Sequence, residues 1–243
     1  MSVSRRRLIA GGVAGLGLAG AAVAGRTLGQ LGLLPPDAAG VFGPGHSLTY
    51  AAQRVLTRHS LAREFPASKV SARPFANGPA LDSPEYVALR EDGFAGWQLD
   101  VDGLVASPMT FSLAQVRQGP ARRQTTALAC EEGWSYIAEW TGVPLSHLLE
   151  LVGVRPEARF AVYESIDPYW KDAIDMADAL HPQTVVAYGF NGADLPPEFG
   201  GPLRMRVPRQ LGYKSVKYLR RITLTDSLEG HLPPGAYSWY AGI

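Results

Sequence analysis

Ala127-Leu128-Ala129-Cys130-Glu131-Glu132-Gly133-Trp134-Ser135 carries the one cysteine of the chain. The apolar run Thr126 to Ala129 reads as a strand that delivers Cys130 to its end. Glu131, Glu132 and Gly133 break the pattern, and Trp134, Ile137 and Trp140 follow. A thiol at a strand end, beside a glycine turn and a large aromatic ring, can be a metal ligand, a nucleophile or an inert small hydrophobe. Free cysteine is among the most buried residue types, so for Cys130 taken alone the inert reading leads. A single cysteine forms no internal disulfide, and stability in an oxidising compartment must come from packing.

A second stretch lies downstream. Leu203, Met205 and Val207 alternate with Arg204 and Arg206, which gives a strand with one apolar and one cationic side. Gln210-Leu211-Gly212-Tyr213-Lys214-Ser215-Val216-Lys217 is a glycine-containing bend, and Arg209, Lys214 and Lys217 add to the charge. Clustered cations with exposed backbone amides suit an anionic ligand, phosphate above all. The plainer reading is a solvated strand face. No phosphate-loop or dinucleotide glycine fingerprint accompanies the cluster, so ordinary nucleotide readings are poor.

The chain has 243 residues and a formal net charge of +1. That balance excludes a general nucleic-acid binder, which carries a strong basic excess. Residues 1–30 read as a targeting segment: Ser4-Arg5-Arg6-Arg7-Leu8-Ile9, then a Gly- and Ala-rich apolar run to Ala24, with Ala22-Val23-Ala24 as a small-residue cleavage site. Paired arginines at that junction are the twin-arginine signature, which implies the periplasm or the outer face of the cytoplasmic membrane. The alternative is a plain membrane anchor, with the apolar run near the lower length limit for a span. Residues 31–95 read as a linker and irregular extension, with a helix over Leu48 to Leu61. The remainder, 96–243, reads as one domain.

In that domain Trp97 to Val101 alternates as a half-buried strand, and Ser112 caps a short helix. Pro144 opens a helix with Leu145, Leu148, Leu149 and Val152 on one face, closed by Gly153. Phe160 to Tyr163 and Thr184 to Tyr188 are strands, Met176 to Leu180 a short helix, and Ile222 to Leu224 a closing strand. Short strands mixed with short helices, without regular alternation, predict an α+β fold with a large β component.

Taken in order, Cys130-Glu131-Glu132-Gly133-Trp134-Ser135, Trp140-Thr141-Gly142-Val143-Pro144-Leu145, Leu195-Pro196, Gly200-Gly201-Pro202-Leu203-Arg204 and Gly212 to Lys217 resemble the sulfite-oxidase-type molybdopterin family, in its bacterial twin-arginine-exported branch related to the periplasmic protein-methionine-sulfoxide reductase catalytic subunit. The resemblance implies that family's fold and one mononuclear molybdenum on a single pyranopterin dithiolene. It makes Cys130 the protein's thiolate ligand and the catalytic residue. It makes Arg204 the arginine at the cofactor phosphate, and Gly212, Tyr213, Lys214, Ser215 and Lys217 the loop gripping pterin and phosphate. Ser165 takes the place of a hydroxyl residue near the cofactor, and Asn77 that of an asparagine holding the pterin. The resemblance further implies oxygen-atom transfer on a small-molecule or protein-bound substrate, electrons exchanged with a separate redox protein or membrane cytochrome, and a monomer.

Phe199 departs from the pattern, since relatives carry His or Asn just before Gly200-Gly201-Pro202. Arg122 and Arg123 lie near Cys130 but outside the family's sulfite-pocket pattern. Two other classes of reading stand beside the enzyme: a cofactor-retaining carrier without turnover, and a thiol hydrolase pairing Cys130 with His147 or His181.

Overall fold

Phe160, Ala161, Val162 and Tyr163 are all buried, and that double-sided burial marks a strand with neighbours on both sides and both faces covered. The computed structural model describes residues 43–231, so the expected leader with its cleavage site and the terminal residues 232–243 lie outside the described residues. The chain divides at Thr57 and Arg58 into two units.

The described part of the first unit is one helix, α1 (Gly43–Thr57), which starts earlier and ends earlier than its apolar spacing predicts. Leu48, Val55 and Leu56 on it are exposed.

In the second unit, α2 (Pro84–Glu91) leads into β1 (Gln98–Gly103), β2 (Met109–Ser112) and α3 (Leu113–Gln118). There follow β3 (Arg122–Ala129), β4 (Ser135–Pro144), α4 (Leu145–Val152), β5 (Phe160–Ser165), β6 (Lys171–Asp175), α5 (Met176–Ala179), β7 (Val185–Phe190), β8 (Ala193–Asp194), β9 (Arg204–Arg206) and β10 (Leu219–Thr225). The expected α+β class is the observed one.

The strands form two sheets. The first runs β2-β1-β10-β5-β6, with β1 parallel to β10 and the other neighbours antiparallel. The second runs β3-β4-β7-β8, with β9 also paired to β7. Local signals start the helices as the sequence suggests. Ser112 accepts from the Gln115 amide, and Gln115 returns the bond to the Ser112 amide, a reciprocal cap. Gly153 ends α4 at φ +66°, a conformation costly to any residue with a Cβ.

The main core lies between the sheets. Leu99, Val101, Ile222 and Leu224 of the first sheet meet Val143, Val186 and Met205 of the second, with Leu145, Leu148, Leu149 and Val152 of α4 between them. A smaller core covers the opposite face of the second sheet: Leu128, Tyr136, Ala138, Trp140, Val185, Ala187, Phe190, Leu195 and Phe199. The irregular stretch from Arg58 to Gly96 belongs to the same unit. Its Phe65 amide bonds the Thr125 carbonyl and its Ser71 amide the Ile137 carbonyl, so it runs along β3 and β4.

Candidate active site

Ladder pairing of β3 with β4 ends at Ala129 and Ser135, and the chain crosses between them through Cys130 to Trp134. The Cys130 amide donates to the Trp134 carbonyl at 2.9 Å, and the Gly133 amide returns to the Cys130 carbonyl at 3.1 Å. Both ends of the turn are therefore tied, and Cys130 is held half-exposed. Its thiol donates to Glu131 Oε2 at 3.2 Å. Burial, opposed by the Glu132 amide and aided by the Glu131 carboxylate, pushes the thiol up to about 11. Left to the protein alone it stays protonated. A cation at the sulfur reverses that balance, because coordination deprotonates a thiol.

Gly212 brings the basic bend to the cysteine. A Cβ there would lie 3.0 Å from Leu128 Cδ2, 3.3 Å from the Ala129 carbonyl oxygen and 3.6 Å from Cys130 Cα. The bend thus rests on the last residues of β3, across about eighty positions of sequence, and a side chain at Gly212 would crowd Leu128 and the Ala129 carbonyl.

The five clustered cations separate in three dimensions. Lys214 is fully buried, and its Nζ donates to Asp172 Oδ1 at 2.6 Å and to the Ala173 carbonyl at 2.8 Å. Burial raises the Asp172 carboxyl to about 6, against the pull of Lys214. Arg209 pairs with Asp178 at 3.5 Å and donates to the Arg58 carbonyl. Lys217 donates to the carbonyls of Glu198 and Asn77, at 2.6 and 2.9 Å, which joins two expected site residues through the Asn77 backbone. Burial, then Arg204, lower Lys217 to about 8.

Arg204 and Arg206 remain together. Alternation on β9 turns Met205 into the main core and both arginines toward the smaller one, where each guanidinium lies over the Trp140 ring, at 5.2 and 5.3 Å. The solvated-face reading therefore fails: Arg204 is 4% exposed and Arg206 0%. Arg204 donates to the Phe199 carbonyl at 2.7 Å and the Ser215 carbonyl at 2.6 Å, and its charge acts on the nearby Tyr136 hydroxyl. Arg206 reaches β3, donating through Nη2 to Thr126 Oγ1 at 3.0 Å and to the Ala127 carbonyl. Burial, then the neighbouring Arg204, lower Arg206 to about 9. Among the described residues, Arg204 Nε, Arg206 Nε and Nη1 and Trp140 Nε1 have no hydrogen-bond partner.

The other expected site residues are placed as follows. Ser215 is buried, and its hydroxyl accepts from the Val207 amide at 3.3 Å, so it braces the bend against β9. Tyr213 lies in the bend with its ring facing the Lys214 ammonium at 5.2 Å. Ser165 ends β5, and its hydroxyl accepts from the Asp167 amide at 3.0 Å. Phe199 stacks on Phe190 at 4.4 Å and meets Tyr136 edge-on, so an aromatic core contact occupies the departed position. Arg122 and Arg123 pair with Glu64 and Glu139. Among the described residues neither His147 nor His181 bonds the Cys130 thiol, and no group of three or more His, Cys, Asp or Glu side chains converges on a metal position.

One thiol in a tied turn, a basic bend packed beside it, and two buried guanidiniums with donors unpartnered among the described residues fit a group that carries both a soft-ligand metal and an anionic end. Residues 86–231, more than half of the chain, match the oxidoreductase molybdopterin-binding domain family. The chain belongs to that family of molybdopterin-dependent oxidoreductases. It is 36% identical over 185 residues to a provisionally named protein-methionine-sulfoxide reductase subunit, YedZ1, of Azospira oryzae, covering 76% of this chain and 69% of that protein. It is 29% identical to the protein-methionine-sulfoxide reductase catalytic subunit MsrP of Gluconobacter oxydans, over 100% of this chain and 77% of the relative. The sulfane dehydrogenase SoxCD of Paracoccus pantotrophus has the same fold, with a TM-score of 0.56 at 24% identity over 70% of this chain. The chain spans 46% of that dehydrogenase chain.

Proposed function

We propose that the chain is an exported molybdenum enzyme of oxygen-atom transfer that reduces sulfoxides, with its electrons supplied by a separate redox protein. The observation that carries the reading is the packing of the Gly212 bend on Cys130, beside two buried arginines that keep three nitrogen donors without a partner among the described residues. The naming of two relatives as sulfoxide reductase subunits supports the substrate class.

In this reading Cys130 gives the metal its one protein ligand. Arg204, Ser215 and Lys217 hold the anionic end of the cofactor, Gly212 and Tyr213 border the pterin, and Asn77 and Ser165 close the far side. Lys214 shapes the bend from within: its ammonium is committed to Asp172, its amide to the Leu211 carbonyl and its carbonyl to the Tyr163 hydroxyl. When bound, the cofactor supplies two-electron chemistry at oxygen. The net reaction consumes a sulfoxide, two protons and two electrons and yields a thioether and water. The protein's share is to fix the thiol in a tied turn, to hold the cofactor by charge and to shape approach past Trp134, Phe75 and the Cys130 turn. Residues 1–30 serve as the twin-arginine leader, 31–95 as the extension and 96–243 as the cofactor domain. Among the described residues no helix is long and apolar enough to cross a membrane.

Protein made in a strain that synthesises molybdopterin is to be assayed for molybdenum, for a molybdenum paramagnetic signal and for turnover of a sulfoxide panel with a reduced dye. Metal with turnover is the expected result. Metal without turnover on any sulfoxide would make the chain a cofactor carrier, and protein without metal would remove the reading altogether.

A further inference from the structure

We propose that Arg206 is a second guanidinium donor, beside Arg204, to a phosphate-type oxyanion held against Trp140. The inference rests on the cofactor reading for the identity of that oxyanion, but its geometry stands independently.

Arg206 is fully buried, and it carries two N–H groups, on Nε and Nη1, without a partner among the described residues. Arg204 Nε and Trp140 Nε1 are in the same condition. Both guanidinium carbons lie within 5.3 Å of one indole centroid, and both arginines act on the Tyr136 hydroxyl, so the four donors belong to one cluster. Neither arginine has a carboxylate partner among the described residues, while Arg209 and Lys214, a few positions on, each have one. Two like charges side by side, out of water and without a counter-ion, cost stability. A chain that needed only a strut from β9 to β3 could use an uncharged side chain for the two bonds to Thr126 and Ala127. What a pair of guanidiniums adds is planar, charge-assisted donation to a tetrahedral oxyanion. The cofactor's terminal phosphate and free inorganic phosphate share that chemistry.

The test compares wild type, Arg206→Met and Arg206→Lys in two forms. The first form is the loaded protein, dialysed in phosphate-free buffer and assayed for molybdenum per chain. Arg206→Met is expected to lose metal about ten- to a hundredfold faster than wild type, the scale of one charge-assisted bond. Arg206→Lys should lie between. The second form is protein from a strain that makes no molybdopterin, melted across a series of inorganic phosphate concentrations. There Arg206→Met should melt no lower than wild type, because an uncompensated charge has gone. Wild type should gain stability with phosphate, and Arg206→Met should lose that gain.

Loss of the phosphate gain with unchanged metal retention would assign the site to free phosphate. A lower melting point of metal-free Arg206→Met, with metal retention and phosphate response both unchanged, would make Arg206 a strut and overturn the proposal. If wild type holds no metal, the cofactor reading fails, and the phosphate series still decides whether the donors bind an oxyanion. Should Arg206→Met not fold, unchanged metal retention and phosphate response in Arg206→Lys would equally overturn the proposal.

Discussion

Trp97 and Trp140 are both fully buried, one in each core, and their surroundings differ in kind. In the main core the Trp97 indole donates to the Leu219 carbonyl at 3.2 Å, the Tyr86 hydroxyl to the Gly201 carbonyl at 2.8 Å and the Tyr163 hydroxyl to the Lys214 carbonyl at 2.7 Å. These three find an acceptor, and the Tyr218 hydroxyl accepts from the Leu81 amide, as expected where packing is the only task. In the smaller core the Trp140 N–H and three guanidinium N–H groups find none among the described residues. The first core is complete in itself. The second is arranged for something further, and it stands at the strand that ends in Cys130.

The largest effect should come from the thiol. Cys130→Ser should lower turnover by more than about a hundredfold, beyond the loss typical of groups that merely support a ligand. Its melting point should hardly move, because the turn is tied through the backbone. Turnover equal to wild type would remove Cys130 from the metal.

Leu148→Ala sharpens the contrast from the other side. Leu148 is 2% exposed in the main core. A cavity there should cost about 2–5 kcal/mol in denaturant unfolding, whereas metal per folded chain should stay near wild type. A loss of metal without a loss of stability would blur the distinction between the cores.

Arg204→Ala should weaken cofactor retention by about one to two decades, the scale of a hydrogen bond to a charged group. Arg204→Lys should recover part of it, because an ammonium cannot present a fork. Arg221, which pairs at the surface with Asp100 and Asp102, is the control, and Arg221→Ala should change stability by no more than about 1 kcal/mol.

The smallest effect is a slope. The Asp172 carboxyl is raised from 3.8 to about 6 by burial. Between those values the folded chain holds a proton that the unfolded chain releases. Its contribution to stability is therefore present at low pH and lost as pH rises through about 6. Asp172→Asn should flatten the melting temperature against pH over that window by a few degrees, at about 2–4 °C per kcal/mol for a domain of this size. The same slope in both proteins would assign it to another group.

How far the sequence could be read differs by element. β1, β5 and α4 are legible because their apolar periods match their burial. β6, Lys171-Asp172-Ala173-Ile174-Asp175, carries three charges in five residues and gives no strand signal. It is a strand because β5 offers an edge, and Asp172 is buried because Lys214 arrives from 42 positions away. The bend from Gly212 to Lys217 could be picked out as basic, but only the fold sorts its charges into neutralised and available ones.

Local order alone determined the Cys130 turn, the capped and glycine-terminated helices and the alternation that puts Arg204 and Arg206 on one side of β9. These depend on backbone stereochemistry and a strand period of two, which neighbours in sequence settle between themselves. Tertiary structure decided whether that side meets water or protein. Trp140, Tyr136 and the end of β3 close over it, and burial turns two ordinary surface arginines into donors short of an acceptor. The reason is that the energy of a charge depends on the medium and the counter-charges around it, and those are supplied here by residues sixty to eighty positions away.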